Sequence, residues 1–409
     1  MSKSKLFLTS CVSLVTTAMV FAIRGDIANP MAAAFHLTNQ QLGLIFSPAF
    51  WCFTVAIFIS GGLVDAVGMR TLHILSAIGY FVGIGLVIFA PRPSGPVASI
   101  FDNAGTMLLY AGFMIMGLSQ GLVEGVINPL VATVYSDRKT QRLNMMHAWW
   151  PGGMIIGGLT AVALTDLFHA TWEIKLATIL VPALAYFVLA LSQRYPATER
   201  VQSNVSTSQM WREAAKPGFI LLLFCMLLTS AIELGPDQWF PAVMQALAPK
   251  LQGVLYLVYT AGLVFLLRTF GSGIAHRSPV ATLLMCSALA GVGLYWLGSL
   301  QPGAGVSVAF AAATVFGLGK SFLWPTMLGL TSERYPRGGA LLMSLMGGAG
   351  MASVAVVLPV MGANIDSGGP GAALQMMSSL SVILVIVFSG IWLYVRSSTR
   401  SRQEAHVAP

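Results

Sequence analysis

Apolar runs long enough to cross a bilayer follow one another along this chain, from Leu6 to Arg396. About 20 apolar residues in a helix span the hydrocarbon core. The runs predict twelve helices, over 6–35, 39–64, 69–91, 104–135, 141–168, 172–193, 216–247, 251–275, 278–300, 303–333, 338–365 and 371–396. The 409 residues are 56% hydrophobic and only 9% charged, against about 25% charged in ordinary soluble domains. The expectation is an all-α integral membrane protein. The N-terminal MSKSKLFLTS places two lysines before an apolar run, as a signal peptide does. That run continues to Phe35 without a small-residue cleavage pattern, so it is read as the first membrane helix.

Lysines and arginines set the orientation. With both termini cytoplasmic, 17 of the 22 fall on the cytoplasmic side. The opposite side keeps Arg92, Lys175 and Lys250, and Arg24 and Lys320 lie within spans. The positive-inside rule therefore predicts an even number of helices in a cell (inner) membrane, with N- and C-termini in the cytoplasm. A net charge of +8 dispersed over short loops gives no basic face for nucleic acid. The polar stretch 194–215 divides the spans six and six. The expected organisation is an N-terminal six-helix bundle (1–193), a cytoplasmic linker (194–215), a C-terminal six-helix bundle (216–396) and a cytoplasmic tail (397–409).

The two halves resemble each other. At an offset of 211 residues Asp26, Pro30, Gln41 and Gly62 fall on Asp237, Pro241, Gln252 and Gly273. At an offset of 196, Gly121, Pro129, Asp137, Arg138 and Gly152 fall on Gly317, Pro325, Glu333, Arg334 and Gly348. The longer connection at 92–103 absorbs the change of offset. Parallel repeats of six helices imply two pseudo-symmetric bundles that rock about a site near the bilayer midplane. At the second offset Glu124 falls on Lys320, so the halves set an acid and a base at comparable depths.

Charges within spans need a reason, because a charge at the bilayer centre costs about 2.5–3.5 kcal/mol on insertion scales. Glu124 is a candidate proton-coupling group: burial raises a carboxyl's affinity for protons and a nearby cation lowers it. The bland alternative is a fixed pair with Lys320 or Arg24. Asp26 is a second candidate. Arg24 pairs with Glu124 or binds a substrate oxygen. Lys320 pairs with Glu124 or Glu233, or attracts an anionic substrate. Asn128 stands one turn after Glu124, and Asn144 and His147 share a face of the next helix. These three, with Glu233, Trp239 and Trp324, complete the candidate substrate-binding set; a carboxylate beside an aromatic face suits a hydroxylated solute. Asp65, Arg70, Arg268 and Arg277 are candidate cytoplasmic gating latches. Gly152, Gly153, Gly157, Gly158, Gly347, Gly348 and Gly350 read as close helix contacts.

The cysteines Cys11, Cys52, Cys225 and Cys286 are isolated within apolar runs, with no disulfide framework and no metal-binding spacing. There is no phosphate-binding Gly-loop ending in Lys-Ser/Thr, no GxSxG and no HExxH. The expectation is therefore no enzyme, no metal and no cofactor, with a proton gradient as the energy source.

The loop GGLVDAVGMR at 61–70 resembles the signature of the major facilitator superfamily, through Gly61, Leu63, Asp65, Gly68 and Arg70. The pattern E-x-x-x-N-P from Glu124, followed by R-L-N-x-x-H-A-W-W, is similar to the fucose–glucose–galactose:proton symporter branch, as is IELGPDQWF at 232–240. The stretch 319–351 resembles bacterial members of that branch. The resemblance implies a major facilitator fold, with Glu124 as proton site or substrate ligand and Asp26 as the acid of the first helix. It also implies proton-coupled symport of a small polar solute, a monosaccharide or derivative foremost, by a monomer in a lipid bilayer. Arg24 has no counterpart in that pattern and keeps a sugar acid or other organic anion open. Two further readings stand beside these: a proton-antiporting exporter, and a membrane sensor or scaffold whose buried charges only hold the bundles together.

Overall fold

The computed structural model describes residues 2–135, 142, 145–196, 207–271, 278–335 and 339–407. Among these, twelve helices are long and apolar enough to cross a membrane. They are α1 (Lys3–Asp26), α2 (Asn39–Ser60), α3 (Met69–Ile88), α4 (Ala104–Val131), α5 (Met145–Phe168), α6 (Trp172–Leu191), α7 (Pro217–Leu247), α8 (Gly253–Phe270), α9 (Pro279–Gly298), α10 (Val306–Thr331), α11 (Ser344–Gly368) and α12 (Pro370–Tyr394). No described residue is in a strand.

The helices form two six-helix bundles packed to the same plan. In the first, α1 packs on α5 and α6, and α4 on α2 and α3; in the second, α7 packs on α11 and α12, and α10 on α8 and α9. Across the interface α2 meets α11, α5 meets α8 and α1 meets α7. Small residues set the approach there. A Cβ on Gly43 would lie 2.7 Å from the Leu358 carbonyl oxygen, and one on Gly158 would lie 2.2 Å from a Val258 methyl. Of the glycines expected at helix contacts, Gly153, Gly157, Gly158, Gly348 and Gly350 make them. Gly347 has nothing within 4 Å, and Gly152 touches only the ring of Trp149 on its own helix.

Several spans are interrupted, among them the fifth at Ala148 and the sixth between Ala177 and Leu180, and three breaks lie in the first, second and tenth. The first span breaks at Ile27 and resumes over Ala28–Phe35. The second breaks at Ser47, where Pro48 starts a new helix. The tenth breaks between Lys320 and Leu323. Within the 194–215 stretch, Thr207–Ala214 is helical. The last helix runs on to Val407 rather than stopping at an unstructured tail, since no Pro or Gly interrupts 391–407.

Polar bonds between the bundles gather at the end away from the chain termini. Asp366, at the close of α11, accepts from the backbone N–H of Asn39 (3.1 Å) and of Gln40 (2.8 Å), and from the Asn39 side chain (2.8 Å). A carboxylate thus sits on the free N–H groups that begin α2, where a helix dipole favours negative charge. The Gln252 amide donates to Asp166 at the same end. Two further cross-bundle bonds are Arg24 to Gln238 at 2.7 Å and Thr54 to the Gly348 carbonyl at 2.8 Å, the latter closer to the termini.

Candidate functional site

In the first bundle, α4 carries Gln120, Glu124 and Asn128 at successive helical turns, which puts them on one face. The Asn128 amide nitrogen donates to the Glu124 carboxylate and to the Glu124 carbonyl, both at 3.0 Å. Its other amide atom, Oδ1, is 2.8 Å from Nε2 of His147, at the start of α5. With the amide nitrogen committed to Glu124, Oδ1 is the acceptor. His147 therefore donates from Nε2, and its Nδ1 is the basic nitrogen. Glu124 and Asn128 are half-buried and His147 is exposed. Three residues singled out from sequence thus form one chain, Glu124–Asn128–His147. Gln120 is 1% exposed, and neither of its amide atoms finds a partner among the described residues. Sequence reading passed over Gln120, although the four-residue spacing that linked Asn128 to Glu124 also reaches back to it.

Arg24 is fully buried near the end of α1. Its Nε donates to Oε1 of Gln238 on α7 at 2.7 Å, a bond between bundles. Its guanidinium carbon lies 4.9, 5.8 and 4.6 Å from the ring centres of Phe21, Phe46 and Phe50. Among the described residues, Nη1 and Nη2 of Arg24 and Nε2 of Gln238 have no hydrogen-bond partner. Tyr80 on α3 lies within electrostatic reach of both Arg24 and Glu124, and its hydroxyl bonds Thr17 of α1 at 2.9 Å. The expected alternative of an Arg24–Glu124 ion pair is not formed.

The second bundle holds a balanced quartet. Glu233 and Asp237 stand one turn apart on α7, 6% and 4% exposed. Arg268 of α8 donates Nη2 to Glu233 at 2.8 Å, and Lys320 of α10 pairs with Asp237. The first pair also staples the break in α10. Arg268 Nε donates to the Ser321 carbonyl at 2.8 Å, and the Glu233 carboxylate accepts from the Trp324 backbone N–H at 3.1 Å. The cation meets the carbonyl end of one half-helix and the anion meets the N–H end of the next, each favoured by the dipole.

Several expectations are corrected. Lys320 pairs with neither Glu124 nor Glu233 but with Asp237. A partner in the same bundle stays within reach when bundles move, whereas losing one from so dry a site would cost about 3–5 kcal/mol. Arg268 is not a cytoplasmic latch, because Glu233 and the α10 break hold it inside its own bundle. Arg70 is exposed and donates to the Ala190 and Leu191 carbonyls that end α6; it caps a helix of its own bundle. Trp239 is 1% exposed with its indole N–H on the Leu358 carbonyl, so it offers no face to a solute. Trp324 remains half-buried beside Glu233. Asp26 is bonded to Lys175 of α6 at 2.7 Å, with 12% and 9% of their side chains exposed, and stands apart from the Glu124 chain. Asn144 and Arg277 lie outside the described residues, as does the side chain of Asp65. Among the described residues no His, Cys, Asp or Glu cluster is arranged to hold a metal.

The family model of the Major Facilitator Superfamily matches residues 6–338. Protein TsgA of Salmonella gallinarum is 20% identical over 409 residues, covering 99% of each chain. Monosaccharide-sensing protein 2 of Arabidopsis thaliana is 25% identical over 150 residues, 36% of this chain and 19% of that protein. Among solved structures, the xylose transporter XylE of E. coli, in a partially occluded inward-open conformation, superposes with a TM-score of 0.75. It is 11% identical and covers 94% of this chain and 98% of its own. The nucleoside transporter NupG gives 0.70 at 14% identity, covering 95% and 99%. At such identity these likenesses bear on the fold, which is that of membrane transporters and not of enzymes. From the matched family model and the twelve-helix, two-bundle fold, this chain belongs to the Major Facilitator Superfamily.

Proposed function

We propose that the chain carries a small polar solute across a cell membrane together with protons, by alternating access, with Glu124 as the protonatable group. The observation that carries this reading is the distribution of charge. Every ion pair among the described residues lies within one bundle or its adjoining segments. Among the described residues, Glu124, deep in α4, is held only by the neutral Asn128. Paired charges need not change protonation as the bundles rock. An acid held by neutral groups, with a histidine one side chain away, can take a proton on one side and release it on the other. The candidate solute contacts are Asn128, His147 and Gln120 from the first bundle and Trp324 from the second.

The scaffold reading requires charges that tie the bundles together, and among the described residues no ion pair does so. The domain limits 1–193 and 216–396 and cytoplasmic termini belong to this proposal, supported by the distribution of Lys and Arg. XylE and NupG carry a sugar and a nucleoside, and a hydroxylated solute of that size is the starting class here. The test is uptake into proteoliposomes with and without an inward proton gradient. Gradient-dependent accumulation supports the proposal; an absence of solute flux under any gradient favours the scaffold.

A further inference from the structure

Resting on that transport reading, we infer that the cargo is a monoanion and that Arg24 receives its negatively charged oxygen group. The argument begins with what Arg24 lacks. It is fully buried, its Nε is occupied by Gln238, and both its amino nitrogens are without a partner among the described residues. Among the described residues no carboxylate lies within ion-pair distance of it; the acid two residues on, Asp26, belongs to Lys175. The rings of Phe21, Phe46 and Phe50 attract a cation but take up no guanidinium N–H in the plane of its fork. That fork matches the two oxygens of a carboxylate. The unpartnered Nε2 of Gln238 supplies a further donor beside it. Because the Arg24–Gln238 bond joins the two bundles, opening that end withdraws Gln238 and uncovers the guanidinium, and closing returns a donor over the bound anion.

The charge balance of the interior points the same way. Asp26 with Lys175, Glu233 with Arg268, and Asp237 with Lys320 cancel pair by pair. Among the described residues deep within the spans, Arg24 and Glu124 remain. The groups facing them are Tyr80 from α3, Gln238 from α7, and Asn128 with His147. With His147 neutral and Glu124 ionised, the empty carrier sums to zero. With a proton on Glu124 and a monoanion on Arg24, the loaded carrier also sums to zero. A proton alone, an anion alone, or a proton with a neutral sugar leaves one unbalanced charge in a medium where charge is costly. Coupling then follows from electrostatics: one proton and one anion move together or not at all. A sugar acid fits these conditions, its hydroxyls meeting polar atoms such as those of Gln120.

The test pairs acids with their neutral parents on the purified full-length protein: glucuronate with glucose, galacturonate with galactose, gluconate with sorbitol. An acid is expected to raise the melting temperature where its parent does not. Arg24→Gln should lose about tenfold or more in affinity for that acid, the scale of a charge-assisted hydrogen bond, and Arg24→Lys should keep part of it. The ligand-free Arg24→Gln protein should melt no lower than the wild type, since it loses a buried cation that has no acidic partner among the described residues. In proteoliposomes the acid should enter under an inward proton gradient with no net current. The inference is overturned if no acid in the panel binds, if Arg24→Gln binds the acid as tightly, or if uptake carries positive charge inward. Proton-driven entry of a neutral sugar would sink it while leaving the transport reading intact. Acid binding lost in Arg24→Gln, with no proton-coupled flux, would uphold the Arg24 site and sink the transport reading.

Discussion

Replacing Lys320 alone should harm the protein more than replacing Lys320 and Asp237 together. The two side chains keep 3% and 5% of their surface exposed, so water does not take over when one partner is lost. Lys320→Met leaves a bare carboxylate and Asp237→Leu leaves a bare ammonium. Breaking a buried pair in this way costs about 3–5 kcal/mol. The double replacement puts two apolar side chains of similar size into apolar surroundings, for which about 1.5 kcal/mol or less is expected. Arg268 keeps 25% of its surface exposed, so breaking its bond to Glu233 should cost less, about 1–3 kcal/mol. Unfolding of the purified variants by denaturing detergent in mixed micelles measures all of these, arranged as a double-mutant cycle. The account expects the double variant to recover most of what either single change loses. If the losses of the two single variants simply add, the charges are not a pair and the quartet reasoning fails.

Three further outcomes follow from the geometry. Arg70→Gln should cost about 0.3–1 kcal/mol, the value of a cation at an exposed helix end, and leave the balance between open and closed bundles untouched. A shift in that balance would restore its role as a latch. Asp366→Ala removes three bonds to the start of α2 and should favour opening at that end by about 1–3 kcal/mol, roughly 5–150-fold. Spin labels at Thr38 and Ser367, with Cys11, Cys52, Cys225 and Cys286 replaced, would report longer distances; an unchanged distribution would refute it. Asn128→Leu cuts the link between Glu124 and His147 and should lower proton-driven uptake by about tenfold or more. His147→Gln, which keeps a donor for Asn128, should lose less, and an equal loss would place the imidazole's own chemistry in the mechanism.

How much of this was legible in the sequence depends on how local the signal is. Apolarity is a property of each stretch by itself, so all twelve helices could be read from it, with ends displaced by a few residues. The repeat could be read because paired positions such as Asp26 and Asp237 recur in order. The Glu124–Asn128 contact was legible because four residues is one helical turn. Partner choice among buried charges was not. Lys320 was expected to pair with Glu124 or Glu233, or to attract an anion, and only the packing of α10 against α7 selects Asp237. The break in α10 escaped as well, because it is held by Arg268 and Glu233 from two other helices. Arg24 stood out as a cation without an obvious reason, but its bond to Gln238 joins residues 214 apart, a distance no periodicity reports. Asp166 and Asp366 were not singled out from sequence, because their bonds at one end of the interface depend on the facing bundle.

The central claim is that Glu124 is where the proton rides. Its most direct test is reconstituted Glu124→Gln protein, assayed both for accumulation of the solute under an inward proton gradient and for exchange of labelled against unlabelled solute at equal pH. Glutamine imitates the protonated acid and cannot release a proton. The account predicts that exchange persists while accumulation is abolished. Accumulation surviving in the variant would contradict it.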